Sequence, residues 1–272
     1  MPNDLTISFI GGGTMAEAIL AAVLGKGLVN SSAIVVGEPI AQRREYLSDS
    51  YGVQTTPDNL KAIEGAQMVV LAVKPQLLGD VMAELQGRIA PSQTVLSIVA
   101  GANLETISSR LDHPAVIRVM PNTPAQVGQG VSVWTVAPEV SNAHKEMTQE
   151  ILTTLGQEIY VSEEKYLDMA TALSASGPAY VFLFLEALID AGVYLGISRD
   201  MAHTLALQTI LGSAVLAKES GKHPAELRNM VTSPGGTTAE ALLALEEEGF
   251  RGILINAVVA AYEKAITLGE ED

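Results

Sequence analysis

Residues 6–16 of the chain read TISFIGGGTMA. An apolar run stops at three consecutive glycines and is followed by helix-forming residues, the order expected for a strand, a tight turn and a helix. Gly11, Gly13 and Ala16 fit the pattern G-x-G-x-x-A, in which small residues permit a sharp turn, close approach of a pyrophosphate and tight helix packing. The alternative is a glycine-rich turn that only links a strand to a helix. Because the segment has a strand before it, a helix after it and a second strand at the expected distance, it predicts a dinucleotide site.

Composition limits the class of protein. The chain has 272 residues, no cysteine and a formal net charge of -15. Without cysteine there are no disulfides or thiolate metal sites, which fits a cytoplasmic protein, and the acidic balance argues against nucleic acid or an anionic membrane as a partner. The first residues, MPND, lack the basic segment of a signal peptide. The apolar stretch 177–197 contains Glu186 and Asp190, which favours a buried helix over a membrane span.

Strands alternate with helices through the first half of the chain. The continuous apolar run at 67–73 is typical of a parallel strand buried on both faces. Further strands are predicted at 7–10, 33–36, 94–99, 115–119, 131–136 and 159–161, and helices at 14–26 and near 140–155. This alternation predicts an α/β fold with a doubly wound (Rossmann) parallel sheet. The turns at 74–75 and 120–124 would lie at the edge where such sheets bind ligands.

Near Glu163 the pattern changes to helices alone. Apolar residues at helical spacing predict helices at 166–173, 179–195, 199–219, 224–231, 237–247 and 251–268. We therefore predict two domains, a dinucleotide-binding domain at 1–163 and an all-α domain at 164–272.

The residues after the second strand bear on the choice of coenzyme. An acidic residue there usually holds the ribose hydroxyls of NAD, whereas basic residues accept the 2′-phosphate of NADP. Glu38 favours NAD, and Arg43 and Arg44 favour NADP. All three could instead belong to a solvated helix start, so the sequence leaves the choice between NADH and NADPH open.

The segment 174–180, SASGPAY, opens the long apolar helix of the second half. Taken alone, it is a helix start with Ser176 as the N-cap and tight packing at Gly177.

The segment 232–240 reads TSPGGTTAE. Thr237 and Glu240 have the spacing of a capping box, which predicts a helix start after a flexible Gly-Gly pair. The unpaired N–H groups and the hydroxyls of Ser233, Thr237 and Thr238 could cradle a carboxylate without any cationic side chain. The simpler alternative is a well-capped helix.

Other kinds of chemistry have little support. The histidines at 113, 144, 203 and 223 are dispersed and lack ligand spacing, so no metal site is expected. No G-x-S-x-G nucleophile motif occurs. A dinucleotide that carries a hydride is therefore the simplest source of chemistry.

With these motifs established, the chain resembles pyrroline-5-carboxylate reductase over essentially its whole length. The motifs that carry the resemblance are FIGGGTMAEAI at 9–19, AVKPQ at 72–76, RVMPNTPA at 118–125, SASGPAYVF at 174–182, HPAELRNMVTSPGGTT at 223–238 and GFRGILINAV at 249–258. The resemblance implies reduction of L-1-pyrroline-5-carboxylate to L-proline by NADPH or NADH. It also implies that the all-α domain is a dimerisation domain, that the protein is a homodimer, and that dimers assemble further into decamers.

The resemblance also implies site residues, position by position. The coenzyme would be bound by the glycine loop and by residues near the ribose and nicotinamide: Gly11, Gly13, Thr14, Met15, Ala16, Asn59, Ala72, Val73, Lys74, Pro75 and Asn122. The substrate carboxylate would lie on Ser233, Gly235, Gly236 and Thr237. Thr238 would hydrogen-bond the ring nitrogen and stands closest to a catalytic role.

Two positions depart from the family. Ala175 stands where the family commonly has a glycine, and Glu38 stands where many relatives have a small polar residue.

Two other functions remain as alternatives. A related imine or β-hydroxyacid dehydrogenase would need a catalytic lysine on the helix at 179–195, which contains none. A non-enzymatic nucleotide sensor would leave the TSPGGTT segment without a role.

Overall fold

The structure, a computed structural model, describes residues 5–270, with the side chain of residue 270 excepted. Within them, eight strands form one sheet: β1 Ile7–Ile10, β2 Ile34–Gly37, β3 Gln54–Thr56, β4 Met68–Leu71, β5 Thr94–Ser97, β6 Val116–Met120, β7 Gly130–Val136 and β8 Gly156–Tyr160. Their order is β3-β2-β1-β4-β5-β6-β7-β8. Strands β1 to β6 pair in parallel. The predicted doubly wound sheet is confirmed, and the order reverses between β1 and β4, where such sheets bind nucleotides.

The sheet differs from the sequence prediction in three respects. Strand β3 has the sequence QTT, which contains no apolar residue to reveal it. Strand β7 runs antiparallel to β6, because the short turn Thr123–Val127 joins them directly and a parallel pair needs a longer crossover. Strand β8 begins at Gly156, three residues before the predicted start at 159, and pairs in parallel with β7.

Helices cover both faces of the sheet. The first unit contains α1 Thr14–Gly25, α2 Ala41–Tyr51, α3 Asn59–Ile63, α4 Pro75–Leu85, α5 Leu104–Leu111, α6 Asn142–Leu155 and α7 Lys165–Ala170. Helices α1 and α6 pack in one apolar cluster on the sheet, and α4 and α5 pack in another. Burial of both faces explains why the strands read as continuous apolar runs.

A second compact unit runs from Gly177 to Ala260, and its described residues form helices joined by turns and loops. Its helices are α8 Gly177–Tyr194, α9 Arg199–Ser220, α10 Pro224–Met230, α11 Thr237–Glu247 and the first part of α12 Phe250–Glu270. The rest of α12, from Ala261, belongs to the first unit, as does the chain up to Ser176. The compact unit therefore starts later than the predicted boundary at 163, because α7 packs on the sheet through Leu167 and Ala170.

A buried arginine connects α7 to the sheet. Arg118 on β6 is only 2% exposed, and it donates hydrogen bonds to Glu164 (2.9 Å) and Asp168 (3.0 Å). The Glu164 carboxylate also accepts the N–H of Leu104. Because a buried guanidinium needs its counter-charges, this pair of acids holds the start of α7 against β6.

The segment SASGPAY contains the first residues of α8, which begins at Gly177. A π-helical turn, Thr171–Ala175, follows α7 and leads into α8, and Ser176 has a helical backbone (φ -80°, ψ -23°). Ser176 is therefore not an N-cap, because a cap has an extended backbone. A methyl group on Gly177 would also have no neighbour within 4 Å, so the expected tight packing at this glycine does not occur within the described chain.

The helices of the second unit expose much apolar surface. Helix α8 has no buried residue, so the expectation of a buried helix at 177–197 is wrong for the single chain. Two segments, Lys165–Tyr194 and Phe250–Gly269, have the length and composition of membrane spans. Only 6% of the most apolar 18-residue stretch of each segment is buried. An apolar surface of this extent needs a cover, since soluble monomers rarely expose one.

Candidate active site

The glycine loop lies at the carboxyl ends of β1 and β4. Gly11 has φ +96°, and its N–H donates to the carbonyl of Gly37 at 2.8 Å. A methyl group on Gly11 would lie 2.8 Å from the Ala72 carbonyl oxygen and 3.0 Å from a methyl of Val73. Both the backbone conformation and the close approach of β4 therefore require glycine here.

Gly13 needs a different explanation, because its backbone is ordinary. It is the N-cap of α1 with φ -69° and ψ -178°, and no side chain caps the helix. A methyl group on Gly13 would meet nothing within 4 Å, so the described chain gives no reason for a glycine. The open position and the uncapped N–H groups of the first turn, at Thr14 and Met15, fit a bound pyrophosphate. Ala16 is buried at 2% exposure where α1 packs on the sheet.

The middle glycine, Gly12, is tied to the end of β2. Its N–H donates to Oε2 of Glu38 at 2.9 Å, and a methyl group there would lie 2.7 Å from a methyl of Leu47. The sequence pattern treats Gly12 as a free position of the motif, so this requirement was missed. The consecutive glycines at 11–13 were its only signal.

The other predicted coenzyme residues border this loop. Ala72 and Val73 follow β4 and lie beside Gly11. Lys74, which is exposed, is the N-cap of α4, and Pro75 is the first helical residue. The side chain of Asn59, at the start of α3, reaches the position beside Gly37 and donates to Glu84 at 2.8 Å. The fold therefore brings these residues to one edge of the sheet around the end of β1.

Asn122 lies at the same edge after the end of β6, which is two strands beyond β4. It is 9% exposed, its amide N–H donates to the carbonyl of Ser174 at 3.2 Å, and its Oδ1 accepts the N–H of Val131 at 2.9 Å. These bonds connect β6, β7 and the π-helical turn. The amide thus braces this corner of the first unit.

The segment that is predicted to bind a carboxylate lies in the second unit. Ser233, Pro234 and Gly235 make a turn that the Gly236 N–H closes onto the Ser233 carbonyl at 3.1 Å, and Gly235 has φ +66°. Proline followed by a left-handed glycine is the pattern of a type II turn.

The predicted capping box is wrong. Gly236, not Thr237, is the N-cap of α11, and no side chain caps the helix. Thr237 and Thr238 are therefore the first two helical residues. Their hydroxyls and the uncapped N–H groups share one helix end, which fits an anion better than a capping box would.

The histidines do not converge. His113 and His144 bond to Gln93 and Thr94 at the start of β5, and burial lowers the pKa of both rings. Among residues 5–270 no cluster of three or more metal-ligating side chains occurs. Helix α8 also lacks the lysine that a β-hydroxyacid dehydrogenase would need.

Family models match both halves of the chain. Residues 164–268 match the model for pyrroline-5-carboxylate reductase dimerisation. Residues 6–101 match the model described as NADP oxidoreductase coenzyme F420-dependent. The first of these begins at the position where the sequence changes to helices alone.

Relatives match over nearly the full length. The chain is 43% identical to the pyrroline-5-carboxylate reductase of Synechocystis sp., covering 98% of this chain and 100% of the relative. Among solved structures, a pyrroline-5-carboxylate reductase from Coxiella burnetii is 36% identical with a TM-score of 0.89, covering 97% of this chain and 98% of that one. The Plasmodium falciparum pyrroline carboxylate reductase with NADP bound is 31% identical with a TM-score of 0.90, covering 98% and 99%.

Proposed function

The chain belongs to the pyrroline-5-carboxylate reductase family, and from this premise we propose which of its residues bind the coenzyme and which bind the substrate. It is an oxidoreductase that reduces L-1-pyrroline-5-carboxylate to L-proline with NADPH or NADH, the final step of proline biosynthesis. The observation that best supports this assignment is that the N-termini of α1 and α11, one in each compact unit, have no side-chain cap among the described residues.

The coenzyme binds at the glycine loop of the first unit and supplies the hydride for the imine carbon. Gly13 leaves room for the pyrophosphate, and the N–H groups of Thr14 and Met15 bind it. Asn59 lies beside the adenosine ribose, and Ala72, Val73, Lys74 and Pro75 line the path toward the nicotinamide. Asn122 lies at the nicotinamide end of the site, and its hydrogen bonds to Ser174 and Val131 fix the backbone there.

The substrate binds at the turn before α11. Ser233, Gly235, Gly236 and Thr237 surround its carboxylate with N–H and hydroxyl donors, which a helix end favours through its dipole. Thr238 hydrogen-bonds the ring nitrogen, the atom that is protonated as the imine carbon is reduced. Holding both ends of a small rigid ring fixes the imine carbon in position, and orientation of this kind supplies much of the rate.

The apolar helices support a homodimer. The family model that covers 164–268 is a dimerisation model, and the same residues carry the exposed apolar faces of α8 and α12. A second copy would cover these faces, which makes a soluble cytoplasmic dimer a better explanation than a membrane anchor. Dimers would assemble further into decamers. In functional terms the boundary at 163 separates coenzyme binding from substrate binding and pairing.

The function is tested by following oxidation of NADH and NADPH with pyrroline-5-carboxylate as the only other reactant. We expect oxidation that depends on this imine. If the folded protein binds a coenzyme but oxidises neither with this imine, the sensor hypothesis or a different substrate replaces the proposal.

Thr238→Ala should lower kcat by roughly one to two orders of magnitude, the cost of losing one hydrogen bond to the reacting group. Thr238→Ser, which keeps the hydroxyl, should retain most of the turnover. Steady-state kinetics at saturating coenzyme measure both variants. A kcat near that of the parent in Thr238→Ala would remove Thr238 from the mechanism.

A further inference from the structure

The carboxylate of Glu38 is built into the wall of the coenzyme site. Glu38 directly follows β2 and is 8% exposed. Its Oε2 accepts the N–H of Gly12, and its Oε1 accepts the N–H of Ile40, both at 2.9 Å. In a doubly wound fold this position faces the adenosine ribose, where NAD carries a hydroxyl and NADP a phosphate. A carboxylate accepts hydrogen bonds from hydroxyls and repels a phosphate.

Neither nearby arginine neutralises this carboxylate. Arg44 donates to the carbonyls of Glu38 (2.7 Å) and Pro39 (2.9 Å) rather than to the carboxyl group. Arg43 donates through Nε to the Gly12 carbonyl at 2.6 Å. It also forms an ion pair of 2.5 Å with Glu17 on α1.

Glu17 is held in place as the counter-ion of Arg43. The hydroxyls of Tyr46 and Tyr51 both donate to its Oε1, at 2.9 and 2.7 Å. The Arg43 guanidinium also lies 5.0 Å from the ring centroid of Tyr46. Burial raises the pKa of Glu17, but hydrogen bonds, chiefly from Tyr51 and Arg43, outweigh it and keep the pKa below its ordinary value. Glu17 therefore stays ionised at neutral pH.

These contacts leave no net positive charge for a 2′-phosphate. The two arginines and the two glutamates cancel in formal charge, and Arg43 is already committed to Glu17 and to the loop. A phosphate would bring about two further negative charges to a site whose wall contains a buried carboxylate. Two ribose hydroxyls would bring none.

We propose that this chain prefers NADH to NADPH, and that Glu38 sets the preference directly while Glu17 sets it by holding Arg43. Glu17 is thus a positioning residue for coenzyme specificity. The inference rests on the proposed coenzyme site at the glycine loop. It goes beyond the use of NADH or NADPH in general.

The test is fluorescence titration of the full-length protein with NADH and with NADPH, without substrate. We expect NADH to bind at least about tenfold more tightly. The same ratio should appear in kcat/KM with pyrroline-5-carboxylate. Equal affinities, or tighter binding of NADPH, overturn the proposal. The titration needs no imine, so it tests the coenzyme preference separately from the proposed reaction. The proposed reaction is refuted only if the bound coenzyme is not oxidised by the imine.

Two variants assign the roles. Glu38→Ser should move the ratio of NADH affinity to NADPH affinity at least about tenfold toward NADPH. A looser glycine loop would weaken both coenzymes equally and would leave this ratio unchanged. Glu17→Gln should shift it several-fold in the same direction while NADH affinity stays unchanged, because Arg43 becomes available to the phosphate. Glu45→Gln, an exposed carboxylate on the same helix as Arg43, is the matched control and should leave the ratio as it is. If Glu17→Gln behaves like this control, the positioning role is refuted, even where Glu38→Ser does not fold.

Discussion

Gly11→Ala should lose both stability and coenzyme binding. A side chain at φ +96° is strained, and its methyl would press on the carbonyl of Ala72 at the end of β4. We expect the free energy of unfolding to fall by roughly 2–3 kcal/mol. The displaced loop should weaken coenzyme binding about a hundredfold or more. Chemical denaturation and coenzyme titration measure the two effects separately.

Gly13→Ala is the matched control, because the two glycines are required for different reasons. Its backbone is ordinary and its methyl would meet no protein atom within 4 Å, so stability should change by less than about 1 kcal/mol. Coenzyme binding should still weaken at least about tenfold, because the methyl would occupy the approach of the pyrophosphate. Unchanged coenzyme affinity in Gly13→Ala would contradict the proposed pyrophosphate site.

A fragment that ends at residue 163 should be poorly soluble and inactive. It removes Glu164 and Asp168, so the Arg118 guanidinium on β6 loses both of its ion-pair partners. It also uncovers Met120 and Val133, on which Leu167 packs. Soluble yield, thermal denaturation and the coenzyme-oxidation assay are the measurements. A soluble, active fragment would refute the assignment of substrate binding to the second unit.

A fragment that ends at residue 176 provides the comparison. It keeps α7 and both partners of Arg118, so it should be more soluble than the shorter fragment, yet inactive because it lacks the turn at 233–236. Arg118→Met in the shorter fragment should restore part of the yield, since it removes the unpaired charge. Equal yields from the 163 and 176 fragments would show that the Arg118 contacts contribute little.

Most of the architecture could be predicted from the sequence. Strands buried on both faces are apolar throughout, so the order of strands and helices and the start of the helical half at Glu163 were readable locally. Strand β3 was not, because QTT lies at the sheet edge and buries no apolar side chain. The antiparallel direction of β7 was missed for another reason: it follows from the length of one turn rather than from residue type.

The candidate site was predicted as a set of positions rather than as a set of contacts. The motifs located the glycine loop, the end of β4 and the turn before α11. They did not show that Gly12 is required, that Gly236 rather than Thr237 caps α11, or that the amide of Asn122 is used by protein partners. The contacts of Gly12 and Asn122 join groups that lie tens of residues apart, and the start of α11 depends on the backbone conformation of the turn before it.

The sequence by itself determined the fold class, because glycine spacing and apolar periodicity act between neighbouring residues, and its motifs carried the resemblance that gave the family and the reaction. Only the tertiary structure decided what the charged residues do. Glu38, Arg43 and Arg44 looked like alternative ligands for a coenzyme. Their side chains bond to the glycine loop, to the segment after β2 and to Glu17. Arg118 is the one charge in an apolar strand, and it holds α7 through acids 46 and 50 residues away. A charge interacts with whatever the fold places beside it, and that neighbour is not encoded locally.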